Sequence, residues 1–373
     1  MRILHLADLH IGKKVHGFSM LKEQEQILLQ GIKNIILDKQ IETVLIAGDI
    51  YDTPVPAGQA VALFDAFLSM LSEMQILTFL IPGNHDSAER IAFAGDILKK
   101  TGICIAKPVS HEIGDSTIEH FEAEDKFGKI HFYLMPYLHK DEAIQILENT
   151  IPDETERNIL LAHQFVSRKG TENILSDSEV NSVGGMEEIS YERFEKFDYV
   201  ALGHLHAGQR IGTDTIRYAG SILKYSFSEA EQRKQYVVLD VQEKGNIQME
   251  FLDIKPIHDM RIIRGPIEKL LEREVYEAED ANDYLWVTLT DEEEVFDALG
   301  RLKEVYPNLL RLDFDNSRTR AVQEAQIVEN IEKKSILELF EEFYENRTEV
   351  KLTSEEKQIV TAQIRAGGFG GRE

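Results

Sequence analysis

Leu80-Ile81-Pro82-Gly83-Asn84-His85-Asp86 closes one strand and opens a turn made of an amide, an imidazole and a carboxylate. The apolar run Ile76–Ile81 has the length of a buried strand, and Pro82-Gly83 stops it abruptly. Polar groups at the carboxyl end of a buried strand are where open α/β sheets carry their chemistry. Alone, the stretch also suits a polar turn in which Asn84 and Asp86 bond the backbone. Four more strand ends repeat the arrangement, and an ordinary turn does not account for that. They are Leu6-Ala7-Asp8-Leu9-His10, Ile46-Ala47-Gly48-Asp49, Leu161-Ala162-His163 and Leu202-Gly203-His204-Leu205-His206.

Short apolar strands alternate with helical patterns from Met1 to about Lys255, the signature of a layered α/β domain. Strands are expected at Arg2–Leu6, Val44–Ala47, Ile76–Ile81, Ile130–Met135, Ile159–Ala162, Tyr199–Leu202, Tyr236–Val241 and Ile247–Ile254. Helices are expected at Gln24–Leu37, Gly58–Met74 and Ala88–Lys100. A boundary falls near Pro256, followed by strand, helix, strand, helix and strand: Met260–Arg264, Pro266–Glu277, Tyr284–Thr290, Glu292–Tyr306 and Leu309–Phe314. Residues 315–326 lack an apolar face and read as a linker, and 331–364 read as two helices ahead of a glycine-rich end. The expected domains are thus 1–255, 256–320 and 321–373.

With 373 residues, 43% of them hydrophobic, the chain can bury a large core. Its single cysteine, Cys104, permits no internal disulfide and fits a reducing cytoplasm. No apolar run approaches the roughly 20 residues that cross a bilayer, and the N-terminus has no signal-peptide pattern. A formal charge of -25 argues against coating nucleic acid or anionic membrane by bulk electrostatics. A polyanionic substrate would need bound metal and local basic residues. Lys13-Lys14, Arg90, Arg168-Lys169, Arg210 and Lys224 follow the polar turns and are expected around a cleft or on an ordinary solvated surface.

Asp8, His10, Asp49, Asn84, His163, His204 and His206 make seven candidate metal ligands. The i, i+2 spacing of Asp8/His10 and of His204/His206 would place each pair on one side of an extended backbone. Seven donors exceed what one ion takes, whereas two ions sharing a carboxylate would have four protein ligands each. Carboxylate, amide and imidazole without thiolate suit Mn²⁺, Fe²⁺ or Zn²⁺. Two such ions about 3.5–4 Å apart clamp an in-line displacement at phosphorus. His85, left over from the count, is the candidate to bond the phosphoryl oxygen or protonate the leaving group.

In order, Asp-x-His, Gly-Asp, Gly-Asn-His-Asp, His and Gly-His-x-His resemble the calcineurin-like metallophosphoesterases. Within them, His5–Gly12, Ala47–Asp52, Asp198–His206 and Tyr218–Phe227 resemble the SbcD family of nuclease subunits. The resemblance implies a four-layer αββα domain, a small α+β capping domain and C-terminal helices that bind the coiled coil of an SbcC-type ATPase. It implies two Mn²⁺ per chain, with Mg²⁺, Fe²⁺ or Zn²⁺ as alternatives. One ion would take Asp8, His10, Asp49 and His206; the other would take Asp49, Asn84, His163 and His204, so Asp49 would bridge. It further implies single-strand endonuclease and ATP-coupled 3′→5′ exonuclease and hairpin-opening activity on DNA, in repair, recombination and replication. A homodimer inside a heterotetramer is implied as well, formed by the helices carrying Phe64, Phe67, Leu68, Leu71, Ile91, Phe93 and Ile97, most of them core.

Two other readings stand beside the nuclease: a phosphoesterase for nucleotides or cyclic phosphodiesters, and a non-catalytic scaffold. Residues 256–373 favour the nuclease, because a small-substrate hydrolase has little need of a linker and separate helices. Ile336, Phe340, Phe343 and Tyr344 form one helical stripe, and Thr353 with Glu356 forms a capping-box pattern before Val360 and Ile364.

Overall fold

The computed structural model describes residues 1–109, 118–177, 179 and 188–320, and in the C-terminal stretch 337, 340, 341, 344, 352, 353, 356, 357, 360, 361 and 363. The first of two compact units ends at Met260, and the second runs on from Arg261. The principal strands of the first are β1 (Arg2–Leu6), β2 (Thr43–Ala47), β3 (Leu77–Ile81), β4 (Ile103–Ile105), β5 (Glu119–Asp125) and β6 (Gly128–Met135). They continue with β7 (Arg157–His163), β8 (Tyr199–Gly203), β9 (Gln209–Ile211), β10 (Thr213–Tyr218), β11 (Gln235–Val241) and β12 (Ile247–Asp253).

These strands make two six-stranded sheets, in the orders β12-β11-β1-β2-β3-β4 and β9-β10-β8-β7-β6-β5. In the first, β1 to β4 run parallel and β11 and β12 form an antiparallel margin. In the second, β10, β8, β7 and β6 run parallel between antiparallel edges. Ile3, Leu45, Ala47, Phe79 and Ile81 of the first sheet share one core with Phe132, Leu134, Ile159, Leu161, Tyr199 and Ala201 of the second. The rings of Phe79 and Phe132 stack across it at 4.2 Å. Leu4, Leu6, Val44, Ile46 and Leu80 alternate with these residues and are also buried. A parallel sheet buried on both faces needs helical cover. Helices Gly58–Glu73 and Lys140–Asn149 add Leu63, Phe64, Phe67, Leu71, Ile146 and Leu147 to the buried set.

The Gln24–Leu37 helix extends over Leu21–Glu25, a π-helical Gln26–Gly31 and Ile32–Lys39. Ala88–Lys100 is not one helix. It breaks into Ala88–Ile91 and Gly95–Leu98, with Ala94 between them in the left-handed region at φ 60°. The break leaves Phe93 and Ile97 at 80% and 68% exposure, while Phe64, Phe67, Leu68, Leu71 and Ile91 are core.

In the second unit β13 (Met260–Gly265), β14 (Tyr284–Leu289) and β15 (Leu309–Phe314) form a sheet in that order. The expected helices are shorter: Ile267–Leu270 and Arg273–Tyr276 replace the first, and Ala298–Val305 the second. They pack Ile267, Leu270, Ala298 and Leu302 on Leu285, Val287, Leu289 and Leu309. Residues 317–320, expected as linker, are helical; the linker residues 321–326 and Ile336, Phe343 and Ile364 of the apolar stripes lie outside the described residues. The capping box at Thr353 forms: Thr353 N donates to Glu356 Oε2 at 2.8 Å, and Glu356 N donates back to Thr353 Oγ1 at 3.3 Å.

Candidate metal centre

Asp8 and His10 follow β1, Asp49 follows β2, Asn84 follows β3, His163 ends β7, and His204 and His206 follow β8. Both sheets deliver these residues to one place. His10 Nε2 lies 3.1 Å from His206 Nε2 and 3.6 Å from Asp49 Oδ2. On the other side of Asp49, His163 Nε2 lies 3.4 Å from the same Oδ2 and 3.0 Å from Asn84 Oδ1. His204 Nδ1 is 3.1 Å from that amide oxygen. Asp8 accepts the His204 backbone N–H on both oxygens, at 3.0 and 3.2 Å. The seven donors form two groups with the Asp49 carboxylate between them. All are buried except Asn84, which is half-buried.

The backbone achieves this differently from the extended i, i+2 geometry expected. Asp8, His10, Asp49 and His204 have φ of 51°, 44°, 48° and 109°, positive values uncommon for non-glycine residues. The ends of β1, β2 and β8 curl back, and the curl aims the side chain. Such conformations cost roughly 1–3 kcal/mol apiece and gather at functional sites. Two glycines permit the approach of the sheets: a Cβ at Gly48 would overlap the His163 imidazole, and one at Gly203 would overlap the Ala47 carbonyl oxygen.

The donors do not satisfy one another. His10 Nδ1 is buried without a hydrogen-bond partner. Burial holds His10 well below the usual imidazole range and His204 at about 3. Burial also raises Asp8 to about 7, whereas Asp49 stays ionised because the charge and hydrogen bond of His163 outweigh burial. Asp49 in turn outweighs burial at His163, which is raised to about 9. Carboxylate, amide and imidazole atoms converge on one buried place. Such a donor set fits divalent cations of hard to borderline character.

His85 stands at the rim, its ring 4.9 Å from that of His10 and nearly perpendicular to it. Its backbone N–H donates to Asp49 Oδ1 at 2.9 Å, and its Nδ1 meets the Asp52 carbonyl at 3.0 Å. Asp86 ties the loops together by accepting the N–H groups of Ile50, Tyr51 and Gly83 at 3.0, 2.9 and 2.9 Å.

Several supporting residues escaped the sequence reading. Glu229, fully buried, lies 3.4 Å from His206 Nδ1 and accepts from Lys234 Nζ at 2.7 Å; Lys234 also donates to the His206 carbonyl at 2.8 Å. Glu179 accepts the His206 N–H. Gln24 donates to the carbonyls of Leu9 and His10 at 3.2 and 2.8 Å. The run from Ser226 to Lys234 is polar apart from Phe227 and Ala230, and only its nearness to the Tyr218–Phe227 motif marks it.

The basic residues divide. Lys13 pairs with Asp52 at 2.7 Å, beside His10. Lys224 is committed to Asp259 and to the carbonyls of Ala230 and Met260, a structural duty. Arg210 pairs with Asp214, and Arg90 donates to the Pro54 carbonyl at 3.3 Å.

A profile of the calcineurin-like phosphoesterases matches residues 1–208. A second, described as the type 5 capsule protein repressor C-terminal domain, matches residues 256–348. The chain is 30% identical over 376 residues to the SbcD subunit of the SbcCD nuclease of Staphylococcus epidermidis, covering 95% of each chain. It is 31% identical over 398 residues to the protein of that name from Staphylococcus saprophyticus, covering 98% of this chain and 100% of the relative.

Proposed function

The chain belongs to the calcineurin-like phosphoesterases, and on that premise we propose that it is the nuclease subunit of an SbcCD-type complex, hydrolysing DNA phosphodiesters with two Mn²⁺ ions. The observation that carries this reading is the division of seven donors into two groups that share Asp49. Asp8, His10, Asp49 and His206 would hold one ion, and Asp49, Asn84, His163 and His204 the other. When bound, such a pair neutralises phosphoryl charge and activates water at neutral pH.

His85 supplies the proton chemistry. Its Nδ1–H donates to the Asp52 carbonyl, which fixes the tautomer and leaves Nε2 for a phosphoryl or leaving oxygen. The ring is half-buried, so substrate can reach it. Lys13 adds positive charge beside the centre. Phosphate contacts of this kind are independent of sequence and sensitive to salt.

The finer reading assigns single-strand endonuclease and ATP-coupled 3′→5′ exonuclease activity, in DNA repair, recombination and replication in the cytoplasm. Among the described residues no helix is long and apolar enough to cross a membrane. The C-terminal helices would dock on an SbcC-type ATPase, and exposed Phe93 and Ile97 would join two copies into a dimer. Deleting residues 328–373 should leave a metal-dependent single-strand nuclease that no longer binds the ATPase. The direct test incubates the purified chain with Mn²⁺ and either single-stranded DNA or a small phosphodiester. Cleavage of DNA supports the reading; turnover of the small diester with DNA intact would replace it with a small-substrate hydrolase.

A further inference from the structure

A second group of metal-ligating side chains stands on the hairpin of β5 and β6, at the edge of the second sheet. His120 and Glu122 are two apart on β5 and share a face. On β6, His131 sits directly opposite Glu122, and Tyr133 opposite His120. His131 Nδ1 lies 2.7 Å from His120 Nε2 and 3.8 Å from Glu122 Oε1. His131 pairs across β7 with Asn158, five residues before His163, which puts it roughly 16 Å back along the strand from the metal centre.

Independent contacts orient these donors. The Nε2–H of His131, a buried residue, donates to the Glu156 carboxylate, so its Nδ1 lone pair faces His120 and Glu122. A carboxylate behind a histidine in this way is the usual support of a metal-bound imidazole. Tyr133 stacks on His120 with ring centroids 4.7 Å apart and planes within 17°. Lys129 occupies the other oxygen of Glu122, Oε2, at 3.1 Å, leaving Oε1 on the side of His131.

We propose that His120, Glu122 and His131 bind a divalent cation of the zinc class, with Glu156 positioning His131 and water completing the coordination. Two imidazoles and one carboxylate suit zinc or a neighbouring borderline ion. Ligand bonds of about 2.0–2.1 Å at tetrahedral angles set donors about 3.3 Å apart. The observed 2.7 and 3.8 Å bracket that spacing, so small rotations of exposed His120 and Glu122 close the site. The ion would tie an edge strand to its neighbour, where an unpaired edge is otherwise a liability.

Equilibrium dialysis of the full chain against micromolar Zn²⁺, with bound metal counted by elemental mass spectrometry, tests this. His120→Ala and Glu122→Gln alter exposed donors on the hairpin alone, and circular dichroism checks that both variants remain folded. Each is expected to bind one zinc fewer per chain than the unsubstituted protein. Glu156→Gln is expected to weaken that same zinc by roughly 10–100-fold. Unchanged zinc content in both His120→Ala and Glu122→Gln would overturn the proposal and leave the cluster as a hydrogen-bonded relay only.

Discussion

Removing Glu229 should separate the stability of the phosphoesterase domain from its affinity for metal. Glu229 is buried against Lys234 Nζ at 2.7 Å and lies 3.4 Å from His206 Nδ1. It also accepts the Tyr225 N–H at 3.3 Å. Glu229→Ala would strand the Lys234 ammonium, 8% exposed, with the His206 carbonyl and Gln232 as neutral partners. Breaking a buried ion pair from one side costs roughly 3–5 kcal/mol. At roughly 2–4 °C per kcal/mol for a domain of this size, the metal-free variant should melt about 6–20 °C lower. Glu229→Ala with Lys234→Met removes both charges and should recover most of that loss. Neither variant supports the His206 ring, so both should bind Mn²⁺ roughly 10–100-fold more weakly. The assays are thermal unfolding in chelator and Mn²⁺ titration of the folded proteins. A single variant that melts within about 2 °C of the parent would refute the buried-pair argument, that interval being at most about 1 kcal/mol. Full Mn²⁺ affinity in both would refute the positioning role.

His85→Gln should keep the metal content of the parent while lowering DNA cleavage roughly 10²–10⁴-fold, and undiminished cleavage would remove His85 from the chemistry. Asp125 joins the Met1 ammonium, at 2.8 Å, to the Arg157 guanidinium, and these contacts outweigh burial to hold its carboxyl well below the usual range. A depressed folded value means stability that is present above the unfolded carboxylate range and lost as pH falls below about 4. Denaturant titration of the metal-free chain should therefore show a shallower acid loss for Asp125→Asn, and identical slopes would contradict the assignment. Mn²⁺ at 100 times its dissociation constant should stabilise the parent by about 2.7 kcal/mol for each ion bound, and chelator should reverse this.

Six of the parallel strands, β1, β2, β3, β6, β7 and β8, were legible because both their faces are buried. Val44 to Ala47 and Phe79 to Ile81 are continuous apolar runs for that reason. β5, β9 and β10 carry no such mark: β5 reads Glu-His-Phe-Glu-Ala-Glu-Asp and alternates between half-buried and exposed, and β9 and β10 are similarly polar. The donors could be found because each follows a legible strand. How they converge could not, since the positive φ of Asp8, His10 and Asp49 goes with backbone bonds between the loops after β1 and β2, Asp8 N to the Gly48 carbonyl and His10 N to the Asp49 carbonyl, which join residues about 40 apart in the chain. Glu229 and Lys234 stayed hidden because their run is charged like solvated surface, and only tertiary contact turns it inward.

The most direct test of the central claim counts Mn²⁺ per chain and measures single-strand DNA cleavage on the same samples, in the His120→Ala background so that the hairpin lacks its full set of three donors. Two ions per chain are expected, with cleavage that appears and disappears with them, and Asp49→Asn should lose both ions and the activity together. A parent that binds one ion, or an Asp49→Asn variant that keeps two and still cleaves DNA, would contradict a shared-carboxylate, two-metal nuclease.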